Sequence, residues 1–231
     1  MRPYDPNLPL FSMHIPKCGG TSLLRALRRW FWPWRVIAHY QRDALGPPSP
    51  IKVGAKMCVH GHLNSARARG VMDFYPQAQQ FITFLREPFD RAVSLWHFMP
   101  KVAKERGDLS WVENPPEFAS WLRKRAALQK RGLNFESVIW HFPKPPNEVP
   151  IAEQMDRSFV FVGIMERYQE SLDALARALG KRRMKVAHLN RTERANEYED
   201  LRKFYRQHFT DEYEVYEAAL KRNDELLRQY L

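Results

Sequence analysis

The sequence predicts an α/β domain in which helices sandwich a parallel sheet, and three observations carry that expectation. Apolar, β-branched runs alternate with helix-period segments along the chain, the pattern of strands joined by helical crossovers. The run from Phe159 to Ile164 is almost wholly apolar, as a central parallel strand covered on both faces must be. Neither a repeat nor a low-complexity linker divides the 231 residues, so residues 1–231 are expected to form a single domain with a sizeable core.

Residues 8–15 read as the first strand and residues 21–31 as the helix after it, with Leu23, Leu24 and Leu27 at helical spacing. The turn between them, Pro16-Lys17-Cys18-Gly19-Gly20-Thr21-Ser22, is cationic, glycine-rich and hydroxyl-bearing. Glycines let a backbone approach a ligand closely, and the free N–H groups and dipole of a helix start favour an anion. Lys17 adds a mobile charge, and Thr21 and Ser22 add donors. A short second strand is expected at 35–40, a proline-rich turn at 46–50, a third strand near 56–60 and a fourth at 81–85.

Pro88 suits the first turn of a helix, predicted to run to about residue 104, on which Arg91 and Ser94 converge on one face. Residues 105–150 are more irregular, with proline clusters around a basic, Trp-bearing helix at 121–130, and are expected to form an acceptor-binding insertion over the site. Strand 158–164 and an amphipathic helix at 166–179, closed by Gly180, follow. Thr210 is placed to cap the last helix, whose Tyr213, Tyr216, Leu220, Leu227 and Tyr230 form a packing stripe.

In the glycine turn the lysine precedes the glycines, unlike the nucleotide triphosphatase pattern G-x-x-x-x-G-K-[ST], which disfavours an ATP-dependent phosphotransferase. Ile15 to Leu23 instead resembles the 5′-phosphosulfate loop of sulfotransferases that use 3′-phosphoadenosine 5′-phosphosulfate (PAPS), especially the carbohydrate branch of heparan and uronyl 2-O type. Arg86-Glu87-Pro88-Phe89-Asp90-Arg91-Ala92-Val93-Ser94 is similar to that family's 3′-phosphate site, Val162 to Arg167 to a segment framing the nucleotide, and Asn190-Arg191-Thr192 to a later segment on the PAPS side. His60-Gly61-His62 resembles the segment whose second histidine is the family's base.

The resemblance implies a P-loop-like fold and metal-free, in-line sulfuryl transfer to a carbohydrate or glycoconjugate hydroxyl. It implies that Lys17 meets the leaving phosphate and that Lys17, Cys18, Gly19, Gly20, Thr21 and Ser22 hold the 5′-phosphate. Arg86 and Ser94 would hold the 3′-phosphate, with Asn190, Arg191 and Thr192 nearby, and His62 would be the base that His60 assists or orients. From the residues alone, the alternation Cys58, His60, His62 leaves zinc open, though no fourth ligand has helpful spacing.

The net charge of +11 points to anionic ligands. Clusters at Arg28 and Arg29, at 123–125 with Lys130 and Arg131, and at 181–185 permit an anionic saccharide acceptor or peripheral contact with a membrane. A basic nucleic-acid-binding protein is the rival from another class, but it leaves the phosphate motifs unexplained, so no nucleic acid is expected. The aromatics of 28–35 are expected to close a helix against the sheet; stacked sugars or a membrane surface are the alternatives, and Trp111, Trp121 and Trp140 are better acceptor candidates. His14, His39, His97, His141, His188 and His208 carry no motif and are expected in packing roles. Without an apolar leader or a long apolar run, and with Cys18 and Cys58 expected as reduced thiols, a cytoplasmic enzyme of bacterial type is expected.

Overall fold

The computed structural model describes residues 1–39, 52–185 and 194–231, the side chains of 194–197 excepted; the expected turn at 46–50, His188 and the segment Asn190-Arg191-Thr192 lie outside the described residues. Among the described residues five strands form one parallel sheet: β1 (Leu10–Met13), β2 (Val36–His39), β3 (Cys58–Gly61), β4 (Gln80–Leu85) and β5 (Phe159–Ile164), in the order β2-β3-β1-β4-β5. The helices are α1 (Gly20–Trp30), α2 (Val71–Phe74), α3 (Pro88–Trp96), α4 (Met99–Arg106), α5 (Leu109–Glu113), α6 (Phe118–Lys130), α7 (Ile151–Ser158), α8 (Tyr168–Ala178), α9 (Arg202–His208) and α10 (Thr210–Tyr230). Strand β1 is central, pairing with β3 on one side and β4 on the other, so the chain changes direction across the sheet there. In open parallel sheets that crevice, beyond the strands' carboxyl ends, is where ligands sit.

Side-chain alternation, shifted in β5 by a register irregularity opposite Phe81 and Ile82, feeds two cores. Leu10, Cys58, Ile82 and Phe161 meet α1 and α8, while Phe11, Val59, Phe81 and Phe159 meet α2, α7 and the middle of α10. A third cluster stands off the sheet between α3, α6, α9 and the start of α10, built on Phe89, Val93, Phe118, Trp121, Tyr205 and Phe209.

The structure corrects several details. The helix expected from Pro88 to residue 104 breaks after Trp96, and α4 starts at Met99. Pro100 accounts for the break, because it has no N–H for the Trp96 carbonyl and its ring clashes with a continuing helix there. Thr210 is the first residue of α10 and makes no cap bond, the cap position being taken by Phe209, which stacks on Tyr205 at 4.2 Å. The buried face of α10 runs Glu212, Tyr213, Val215, Tyr216, Ala219, Asn223 and Leu226, so Leu220, Leu227 and Tyr230 fall at its edge.

The basic cluster at 123–125 is split. Arg123 and Lys124 are exposed, whereas Arg125 points inward over the Trp121 ring at 4.7 Å, one turn behind it on the same face. Trp121 is itself buried among Phe118 and Trp96. Trp30 and Phe31 do close α1 against the sheet, but Trp32 and Trp34 are exposed and stack on each other at 5.3 Å. Cys18 and Cys58 are buried free thiols. Among the described residues no helix is long and apolar enough to cross a membrane.

Candidate active site

Past Met13 the chain stays in register for one more residue, the His14 N–H donating to the Gly61 carbonyl at 2.9 Å, and then turns sharply. The turn takes two left-handed residues, Lys17 (φ 69°) and Gly19 (φ 74°). For Gly19 that conformation is free; for Lys17 it is strained, by an amount on the order of 1 to 3 kcal/mol. Gly19 takes the N-cap position of α1, with Leu23 N–H donating to its carbonyl at 3.1 Å, which leaves the N–H groups of Gly20, Thr21 and Ser22 without partners inside the helix. No acidic side chain sits in that first turn, Thr21 is exposed and Ser22 is buried.

Gly20 admits no side chain. A Cβ there would lie 1.9 Å from Nε2 of His14, whose ring packs flat on the helix start. Lys17 is half-buried with Nζ 4.1 Å above the Phe98 ring. Burial, then the neighbouring cations Arg86 and Lys101, hold its ammonium below the usual lysine range. Cations gathered against their mutual repulsion beside unbonded helix N–H groups favour an anion. Lys101 was not among the residues singled out from the sequence; the break at Pro100 turns α4 so that Lys101 comes beside Lys17. Cys18 is buried, which pushes its thiol up to about 12.

Arg86 lies just past the end of β4, half-buried, and makes no ion pair with another described residue. Its neighbour Glu87 is committed elsewhere, accepting from Asp90 N–H at 2.7 Å and Tyr213 O–H at 2.8 Å and pairing with Arg202 at 3.0 Å. Ser94 sits two turns into α3, buried. The expected convergence of Arg91 with Ser94 does not occur. Arg91 is fully buried and donates to Glu212 at 3.0 and 3.1 Å and to the Glu136 carbonyl at 3.0 Å.

The histidines stack. Register pairs Ser12 with His60, and the next same-face positions are His14 and His62. His60 is fully buried with Nδ1 2.8 Å from the Ser12 hydroxyl, so it reaches neither solvent nor an incoming molecule. His62, half-buried beyond the strand, holds Nδ1 2.9 Å from the His14 carbonyl. A carbonyl only accepts, so Nδ1 carries the proton and Nε2 is the basic nitrogen. The His14 ring lies between the other two, 4.1 Å from His62 and 4.9 Å from His60. His141 packs behind them, Nδ1 donating to the Leu63 carbonyl at 3.0 Å.

Face-to-face rings aim their nitrogens outward from the stack, and among the described residues no three His, Cys, Asp or Glu side chains converge as metal ligands do. His14 and His141 had been expected only to pack. The overlooked signal is the shared period-two placement of Ser12 with His14 and His60 with His62.

Burial holds all four imidazoles neutral: His60 and His141 fall to about 3, His14 well below its ordinary value, and His62 is lowered with the His14 carbonyl and Glu136 opposing. The unfolded chain takes up protons below about 6.5, and the native state does not. Stability is therefore expected to fall with acidification from about pH 6.5 toward 4, by up to about 1.4 kcal/mol per pH unit for each of His60 and His141. Urea midpoints at pH 7, 5.5 and 4.5 check this; a flat series would contradict it.

The family model described as "Sulfotransferase family" matches residues 4–231. A search of curated protein sequences finds no match. Among solved structures, a sulfotransferase from Alicyclobacillus acidocaldarius aligns with a TM-score of 0.46 at 17% identity, over 92% of this chain and 96% of that one. A mouse sulfotransferase complexed with PAP aligns with a TM-score of 0.44 at 14% identity, over 86% of this chain and 65% of the mouse chain. Because the family match runs over almost the whole length, through the loop, the histidine strand and the Arg86 junction alike, the chain belongs to the sulfotransferase family.

Proposed function

We propose that this sulfotransferase uses PAPS and passes its sulfuryl group to a hydroxyl of a carbohydrate or glycoconjugate, with His62 as base and no metal ion. The carrying observation is that His62, its tautomer set by the His14 carbonyl, stands at the same sheet edge as the cationic loop of Lys17. The residues present suit the donor. Lys17, the N–H groups of Gly20 to Ser22, and the hydroxyls of Thr21 and Ser22 offer charge and donors to the 5′-phosphosulfate. Arg86, without a carboxylate partner among the described residues, offers a guanidinium to the 3′-phosphate, with the Ser94 hydroxyl as a second donor.

Bound PAPS supplies an activated sulfuryl group whose departure leaves a phosphate. On the protein side, Nε2 of His62 removes the acceptor proton while Nδ1–H stays on the His14 carbonyl, which keeps the ring from turning. Lys17 neutralises charge on the leaving oxygen. Fully buried, His60 acts only through its packing on His14. The net charge and the exposed Arg123, Lys124, Lys130 and Arg131 support an anionic saccharide as acceptor.

PAP, the product without the sulfuryl group, is expected to raise the melting temperature by mass action, and ATP to do so much less because it has no 3′-phosphate for Arg86. Arg86→Ala should remove most of the PAP effect, a loss on the order of 1.5 to 3 kcal/mol for a charged hydrogen bond. Equal shifts with PAP and ATP would sink the PAPS reading, and turnover abolished by EDTA and restored by a metal would sink the metal-free one.

A further inference from the structure

A cavity of about 470 Å³ lies between the α3–α4 break, α6 and the segment after α6. Its lining is mainly apolar: Leu95, Met99, Trp111, Trp121, Leu133 and Phe135, with Arg67, Lys124 and Glu136 among the charged groups that join them. Leu133 and Phe135 are each 39% exposed, and beside Trp111 stand Leu109 and Val112 at 62% and 43%. A concave apolar surface left this open in water is a binding feature more than a packing one.

The cavity adjoins the segments that carry the transfer site. The Phe135 carbonyl accepts from Asn64, two residues past His62, and Glu136 pairs with Arg67 at 2.5 Å in the same segment. On the other side Met99 directly follows Phe98, whose ring carries the Lys17 ammonium. Glu136, on the cavity wall, is close enough to act electrostatically on His62, so a molecule seated there would lie beside the elements that carry the base and the lysine. A free sugar would leave Leu133 and Phe135 wet, whereas the volume falls within the range of pockets that enclose an organic group of moderate size.

We infer that this cavity takes an apolar alkyl or aryl group attached to the acceptor sugar, which makes the acceptor an amphipathic glycoconjugate and not a free saccharide. This rests on the transfer site proposed above. The exposed Lys124 at the cavity wall suits the sugar's anionic part, and the apolar lining suits its aglycone.

Calorimetric titration of the full chain with octyl and methyl β-glucuronide, with and without saturating PAP, tests the inference. The octyl compound is expected to bind at least tenfold tighter, since each methylene taken from water contributes about fourfold. Leu133→Ser/Phe135→Ser should erase that difference while methyl glucuronide binding and the PAP-induced rise in melting temperature stay as they are; Leu133→Ala/Phe135→Ala serves if the serine pair folds poorly. Equal affinities, no measurable octyl binding, or a difference that survives both pairs would overturn the aglycone site. If PAP fails to bind while the octyl preference persists, the PAPS reading fails and the cavity assignment stands.

Discussion

Replacing His62 with alanine is expected to lower kcat roughly 10²- to 10⁴-fold, the range for loss of a general base, with the PAP-induced rise in melting temperature almost unchanged. The two readouts separate catalysis from folding. His62 titrates below the ordinary histidine range because it is buried, so it is already deprotonated at neutral pH. The wild-type rate should then rise with pH through that lowered value and level off at a lower pH than an ordinary histidine base would give. An alkaline fall should follow as Lys17 loses its proton earlier than an ordinary lysine, since burial and the cations Arg86 and Lys101 weaken its hold on it. Near-normal turnover in His62→Ala would move the role to a carboxylate. If His60→Ala proves the more damaging change for kcat in a folded protein, the assignment within the pair is wrong.

Glu212→Gln is expected to cost about 3 to 5 kcal/mol of stability, the usual penalty for removing one partner of a buried ion pair. Glu212 is fully buried, bound by Arg91 at 3.0 and 3.1 Å and by the Tyr205 hydroxyl at 2.9 Å, with Arg125 4.0 Å away. Without its charge two buried guanidinium groups face each other uncompensated. Burial alone would raise the carboxyl, but Arg91 and then Arg125 hold it below the ordinary glutamate value. Its contribution is thus full above the unfolded value of about 4.3 and is lost as pH falls through the lower folded one. Guanidinium unfolding at pH 7 measures the cost; a loss under 1 kcal/mol would show that the charges are relieved by water or by movement.

What could be read from the sequence, and what could not, follows from the range of the interactions concerned. The glycine loop, the strand edges and the helix after Pro88 depend on neighbours within a few positions, and local chemistry shows there directly. Arg91 and Arg125 depend on Glu212, 121 positions from Arg91, and a basic residue on a helix reads as facing a ligand or solvent unless that partner is known. The burial of Trp121 is hidden for the same reason, since nothing local reveals the third cluster that covers most of its ring and leaves only one edge on the cavity. His14 sits in the middle ground. The period-two spacings of Ser12 with His14 and of His60 with His62 are visible in the sequence, but the pairing that brings His14 beside His62 is not, because pairing order between parallel strands leaves no mark on either one.

Helix α10 touches every core. Tyr213 packs in the cluster off the sheet, Val215, Tyr216 and Ala219 pack on one sheet face, and Leu226 packs on the other. Between them the Asn223 amide donates to the Val162 carbonyl at 2.9 Å and to the Ser171 hydroxyl at 3.1 Å. Sub-global opening of any one cluster must strip contacts from a helix the other two also hold, so the clusters are expected to exchange their amide hydrogens as one cooperative unit. A proteolytic nick before α10 would release all three together, and the segment around α6, despite its irregular sequence, is locked into the same unfolding event as the central strand.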